Sequence, residues 1–547
     1  MTGSLDRLTA MLMKLSLLSL CSVLLTAQLQ AAVSLPMGTG TETSATDAEG
    51  PAKEALTAFR EGRHAKAIEL AKPLVEKGNA AAIYLMGYAY ETGQGIEASR
   101  TLAIENYRKS SAAGYKDATY RLAAILLAAE DEAERTQGGD ILEKAAKDDP
   151  SVAGRLLGEA YLRARLTKQA DFEKTVFWWT QAANAGDVQA LLLLARLHEG
   201  QFGFADKKDP KKAMDFYTKA AGLGDAQSMV ALGSRLLNGD KDNRNEEKGR
   251  EWLKKAIDIK EYSAYLALGD FEEFVKKDPK AALALYERGK DAGQVDCILR
   301  AADAYIQGKG TDKDPGRGLS LLENAAKAGS AVAHYRLAVK GLSAEKPEML
   351  LGYSHLLAAA TGGLPEAQNE LGLLYLSGKL AADGKLADAP AGVAWLTRAA
   401  QGGLALAQNN LGALFEQGAG VPQNLGNAGQ LYALAANQGH AAATLALARL
   451  YSKGVGTAAD LPKAWALATL ASERGEESAK KIASDLFDKL DEKQRADGAK
   501  ALDALKTGKP TEIKPTDVGT EKPVLPKPTL PKPTDVKPGT PSKPKGK

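Results

Sequence analysis

Residues Gly403 to Gly420 read Gly-Leu-Ala-Leu-Ala-Gln-Asn-Asn-Leu-Gly-Ala-Leu-Phe-Glu-Gln-Gly-Ala-Gly, and the chain is built on copies of this stretch. The small residue at Gly412 recurs as Gly87, Ala123, Gly158, Ala195, Gly233, Gly269, Ala302, Ala338, Gly372 and Ala448, at spacings of 33 to 40 residues. Nine positions before it, nine of the eleven units carry Gly; Asp149 and Lys260 are the exceptions. Five positions before it every unit carries a small residue, among them Ala333, Ala367, Ala407 and Cys297.

These offsets have a physical reading. The leading Gly ends one helix, because glycine takes the left-handed backbone of a helix C-terminus without penalty. The small residues that follow let helix backbones approach closely. Three positions after the key residue stands an aromatic in many units (Tyr90, Tyr161, Tyr305, Tyr375, Phe415, Tyr451), expected on the buried stripe. Gly-x-Gly pairs at Gly93/Gly95, Gly308/Gly310, Gly418/Gly420 and Gly454/Gly456 close this first helix. A second helix follows, ending in runs such as Phe177-Trp178-Trp179-Thr180-Gln181-Ala182-Ala183 and Trp395-Leu396-Thr397-Arg398-Ala399-Ala400. Each unit therefore reads as a helical hairpin that buries its apolar face only by stacking on its neighbours.

Leu371-Gly372-Leu373-Leu374-Tyr375-x-x-Gly378 and Leu411-Gly412-Ala413-Leu414-Phe415-x-x-Gly418, with the Ala-rich helices after them, resemble Sel1-like repeats, relatives of the tetratricopeptide repeats. The similarity covers about eleven units between Pro51 and Gly475. It departs from the pattern at Ala123, where no Gly-x-Gly follows, and at Gly269, where Phe271 to Val275 replaces the usual turn. The resemblance implies an all-α solenoid superhelix of helix-turn-helix repeats. It also implies adaptor or scaffold work, with protein partners on a concave face, as in relatives that serve envelope, exopolysaccharide-export or signalling assemblies.

The 547 residues exceed one ordinary domain, but a repeat array lengthens a single core unit by unit. Net charge is +3 and unevenly placed. Residues 507 to 547 hold nine Lys against four acidic residues and ten Pro, leaving the rest of the chain about 2 charges negative. The body thus lacks the excess of positive charge that nucleic-acid binding requires. The tail cannot build a core, and in polyproline-II geometry it would extend on the order of 100 Å. At the other end Lys14 precedes the apolar run Leu15 to Ala27, followed by Ala31 and Ala32. That pattern fits a cleaved secretory signal peptide and is too short for a membrane span of about 20 residues. The expected organisation is a signal peptide at 1–32, a flexible leader at 33–50 and the repeat solenoid at 51–475. Capping helices at 476–506 and a disordered Lys/Pro-rich tail at 507–547 complete it.

Catalytic, cofactor and metal chemistry is not expected. The five histidines (His64, His198, His334, His355, His440) fall in different repeats without metal-ligand spacing. Cys297 holds the small-residue position and reads as a buried thiol. Asp240 to Glu251 superficially resembles a calcium loop, but it lacks Gly at the sixth position and puts Arg244 at the fifth, so it reads as a connection. Gly308-Lys309-Gly310-Thr311 lacks the upstream Gly of a phosphate loop. Gln368-Asn369 and Gln408-Asn409 take equivalent places in adjacent units and are the candidate groove contacts; a polar strip on the groove is one reading and solvated filler the favoured one. The leading expectation is a periplasmic or secreted interaction scaffold. Weak attraction of the basic tail to anionic envelope components follows from its charge. The alternatives are a cell-wall or polysaccharide binder acting through tail or groove, and a hydrolase embedded in the array.

Overall fold

A computed structural model describes residues 51–239, 244–343, 349–377, 388–454 and 459–507; the expected signal peptide, leader and Lys/Pro-rich tail lie outside them. The described residues form twenty-six α-helices and no strand. The chain divides into two compact units, one up to Lys277 and the other from Asp278. Each is a run of antiparallel helical hairpins, so the fold is an α-solenoid of repeats.

Within a repeat we call the first helix A and the second B, as in Ala405–Gln417 followed by Leu425–Asn437. Helix A starts after a glycine nine residues before the key position. All nine of those glycines have positive φ, from +76° at Gly78 to +92° at Gly186 and Gly224. The two exceptions behave differently. Lys260 is forced into the same left-handed geometry at φ +69°. Asp149 instead stays extended, and its carboxylate accepts from Ser151 N to cap the next helix.

The key small residue marks where A and B cross. A Cβ placed on Gly158 would sit 2.3 Å from Trp179 Cδ1, and one on Gly412 2.9 Å from Tyr432 Cε1. Trp179 is fully buried as a result, and removing a large side chain of that kind from water contributes about 2–3 kcal/mol. The residue three positions later fixes the turn through its backbone. The N–H of the residue capping helix B donates to its carbonyl, as in Asn424 N to Phe415 O at 2.9 Å and Asp460 N to Tyr451 O at 3.0 Å. The same cap side chains then accept from the helix, Asn424 Oδ1 from Asn427 N at 2.9 Å. Sequence and geometry thus agree on the aromatic stripe: Tyr161, Tyr305, Tyr375, Phe415 and Tyr451 are buried, and Tyr90 is half-buried.

Two units were expected to be irregular. The repeat keyed on Ala123 is a complete hairpin, Lys116–Leu127 with Glu132–Asp148, and dispenses with Gly-x-Gly through a short turn capped by Asp131. The repeat keyed on Gly269 does depart. Its helix Ser263–Asp270 runs into a π-helical turn, Phe271–Lys276, which ends on Lys277 at φ +61°, and the division between the two units falls there. After the last full repeat, Glu477–Phe487 and Glu492–Thr507 follow. Trp465 of the last repeat packs on Phe487 at 5.6 Å and lies against Gly498, and Lys506 pairs with Glu473 at 2.6 Å.

Candidate functional site

Positions one before, three after and six after the small residue that leads helix A (Ala333, Ala367, Ala407) follow an i, i+4, i+7 spacing and share one helix face. Across the helices Ala331–Ser343, Pro365–Ser377 and Ala405–Gln417 they form three rows. The first is Val332, Glu366 and Leu406; the second is Arg336, Glu370 and Asn410; the third is Val339, Leu373 and Ala413. Val332, Leu373 and Leu406 are 37%, 36% and 42% exposed, unusual for aliphatic side chains on core helices.

Charge on this face is answered at one end only. Arg336 Nη1 donates to both carboxylate oxygens of Asp303 in the preceding repeat, at 2.8 and 2.9 Å. Glu366 and Glu370 both lie near the Tyr335 phenol, and burial, with those two carboxylates beside it, pushes that phenol up to about 12. Neither glutamate has an ion pair with a described residue, and Glu366 Oε2 is buried without a hydrogen-bond partner. Glu370 is exposed, yet the surrounding protein desolvates its carboxyl and holds it above the ordinary range, with no cation to lower it.

The polar residues picked out from the sequence lie elsewhere. Gln368, Asn369 and Gln408 are 7%, 1% and 5% exposed, and Asn409 is half-buried. The solvated filler expected there is corrected at three of the four: Gln368, Asn369 and Gln408 fasten one helix to the next. Gln368 Nε2 donates to Ala360 O at 3.1 Å and Gln408 Nε2 to Ala400 O at 3.2 Å, each reaching back to the helix before. Asn410 Nδ2 donates to Asn369 Oδ1 at 2.9 Å across successive A helices, and Gln438 Nε2 to Gln408 Oε1 at 2.8 Å. Their equivalence between repeats signalled a shared role. The carbonyls they satisfy lie in the helix before and leave no mark in the side-chain pattern.

The first unit fastens its repeats with charge. Tyr107 Oη donates to Glu91 at 2.6 Å and Arg121 Nε to the same oxygen at 3.0 Å, so burial and Glu91 together push the Tyr107 phenol far above its usual value. Glu199 accepts from Tyr217 Oη at 3.0 Å and pairs with Arg235, whose guanidinium lies 4.4 Å from the Tyr217 ring centre.

The histidines were expected in different repeats, and two of them share one. His334 and His355 face each other within one hairpin, Nδ1 to Nδ1 at 2.9 Å, and burial followed by the His355 charge lowers the His334 pKa. His198 replaces the usual aromatic of the buried stripe, stacking on Phe216 at 5.7 Å and edge-on to Phe172 at 5.8 Å, and burial lowers its pKa as well. His440 accepts from Ala443 N at 3.1 Å as a helix cap. Among the described residues no three His, Cys, Asp or Glu side chains gather as metal ligands would. Cys297 is fully buried. Of the calcium-like stretch, residues 240–243 lie outside the described residues. Asn245 there caps helix B, and Glu251 pairs with Lys255 at 2.7 Å. No described helix is long and apolar enough to cross a membrane.

The Sel1 repeat model matches nine segments: 80–115, 153–187, 188–225, 226–259, 263–294, 295–330, 365–404, 405–440 and 441–476. These segments make up more than half of the chain. The chain belongs to the Sel1 repeat family. The model passes over the hairpins keyed on Ala123 and Ala338, which the structure nonetheless contains. Proteins of this family generally mediate protein–protein interactions and are generally not enzymes. Among solved structures, a protective antigen of uropathogenic Escherichia coli described as having an SLR fold is 26% identical. That match covers 80% of this chain and 94% of the other, with a TM-score of 0.43. A Sel1 repeat protein of Oxalobacter formigenes is also 26% identical, covering 60% of this chain and 93% of its own, with a TM-score of 0.39. No curated protein matches the chain.

Proposed function

We propose that this protein is a scaffold that holds a protein partner on the helix-A face of the three repeats between Ala331 and Asn437. The observation that carries the reading is the pair Glu366 and Glu370, left without a cation among the described residues and bordered by exposed Val332, Leu373 and Leu406. Buried polar groups are normally satisfied, so a carboxylate oxygen buried without a partner on a face edged by exposed aliphatics suits a binding surface. The chemistry selects a partner segment that alternates apolar side chains with Lys or Arg. A pre-formed helical face receives such a segment with little ordering cost of its own. The pattern of residues 1–32 supports work outside the cytoplasm, in the periplasm or beyond. An envelope, export or signalling assembly is the setting in which a scaffold of that kind serves.

The test is crosslinked co-purification of the full-length protein from its native cells, compared with the variant Leu373→Ser/Leu406→Ser. Capture of a protein partner that depends on the two leucines supports the reading. Capture unaffected by them removes this face from the function.

A further inference from the structure

We propose that the Lys/Pro-rich segment 508–547 of the same chain docks on the helix-A face formed by Val332, Glu366, Glu370, Leu373 and Leu406, where it competes with a partner. Three observations converge on this occupant. The first is charge: the face presents two carboxylates with no ion pair to a described residue, while the segment carries nine Lys against four acidic residues. The second is pattern. Lys522, Lys527, Lys532 and Lys537 recur every five residues with Leu525 and Leu530 between them, matching a face on which acids stand between aliphatics. The third is reach. The last helix ends at Thr507, and the helix Pro365–Ser377 lies three A-type helices earlier in the same compact unit. At about 10 Å per packed helix that is roughly 30 Å. A segment of forty residues spans ~3.3 Å per residue when extended. Attachment to the same chain raises its local concentration to the order of millimolar, so even a weak contact is populated.

Desolvation of the Glu370 carboxyl, with no described cation beside it, favours the same occupant. Its carboxyl stands above the ordinary range because the protein desolvates it, and an arriving ammonium would lower it again. The contact is partly electrostatic, so salt should weaken it.

Carbodiimide coupling tests this directly, because it joins a lysine to a carboxylate only when the two touch. The full-length protein is treated at low micromolar concentration and its linked peptides are mapped by mass spectrometry. The pair Lys506 and Glu473, 2.6 Å apart, serves as internal control. The expected result is a link from Glu366 or Glu370 to one of Lys522, Lys527, Lys532 or Lys537, with a yield unchanged on dilution. In full-length Leu373→Ser/Leu406→Ser that yield should fall by about tenfold, the equivalent of one decade of affinity, while the control link stays constant. Finding the control link without the tail link overturns the proposal. So does a tail link whose yield rises with protein concentration, which assigns the face to a second copy. The proposal uses the same face as the scaffold reading but fails separately. Leucine-dependent partner capture without a tail link overturns the docking alone, and a tail link in a protein that captures no partner overturns the scaffold reading alone.

Discussion

Glu199 of the first unit and Glu370 of the second, four residues after and two before the key positions of their repeats, meet opposite surroundings. Glu199 takes a hydrogen bond from Tyr217 and pairs with Arg235 of the next repeat, so its charge is spent inside the fold. Glu370 stands in a row with Arg336 and Asn410, each of which has a partner in the adjacent repeat, while it has none among the described residues. The contrast separates two uses of polarity on one scaffold. Charges answered by the neighbouring hairpin hold the stack in register. Charges left open on an otherwise fastened face are available to something outside it.

The largest expected effect follows from breaking an answered charge. Glu199→Ala removes the acceptor that Arg235 and the Tyr217 hydroxyl share, while Arg235 keeps Ala231 O, and should lower unfolding stability by about 2 kcal/mol after allowing for the partial exposure of Arg235. Denaturant unfolding followed by circular dichroism measures it. Gln408→Leu cuts the neutral counterpart, taking one donor from Ala400 O, which keeps Gly403 N, and removing the acceptor of Gln438 Nε2. A loss of about 1–2 kcal/mol is expected, with little dependence on salt. The loss caused by Glu199→Ala should shrink as salt is raised, because salt screens the ion pair it removes.

Acidification probes both units at once. His198 and His334 have pKa values lowered in the fold by burial, with Lys212 adding to the effect at the first and His355 at the second; Asp209 opposes it at the first and the Ala326 carbonyl at the second. The folded state therefore binds fewer protons than the unfolded one as pH falls below the ordinary histidine value of about 6.5. Stability should be level above that pH and decline below it until the lowered pKa values are passed. His334→Gln/His355→Gln should flatten part of the decline in a series of melts between pH 7 and 5. The smallest effect belongs to the open charge. Glu370→Gln should change stability by less than about 0.5 kcal/mol, because no partner is lost. Its wild-type carboxyl is raised, so the native state holds its proton more tightly, and that contribution disappears as pH rises through the raised pKa. The Gln variant should lack this slope.

The fold was legible because its punctuation is backbone geometry. Gly403 and Gly418 mark left-handed backbone and Gly412 a place where a Cβ would crowd Tyr432, while Lys260, in left-handed geometry at φ +69°, shows the backbone demand surviving the loss of its glycine. The site was less legible for a physical reason. Gln368 and Gln408 looked like surface amides because their partners are main-chain carbonyls one helix away, invisible in any side-chain pattern. Glu366 and Glu370 drew no notice because their significance is an absence, a cation missing among their described neighbours. The His334–His355 pair was hidden by 21 residues of separation that the hairpin folds back to 2.9 Å.

The central claim, that the open helix-A face is where a partner is held, is tested most directly by measuring capture against a control on a different exposed apolar surface. Leu223 and Ile259, 62% and 50% exposed at equivalent turns in the first unit, supply that control. Crosslinked partner recovered with full-length Leu373→Ser/Leu406→Ser should fall by about tenfold or more, and recovery with Leu223→Ser/Ile259→Ser should match wild type. Equal recovery from both variants, or loss only in the turn variant, would contradict the account.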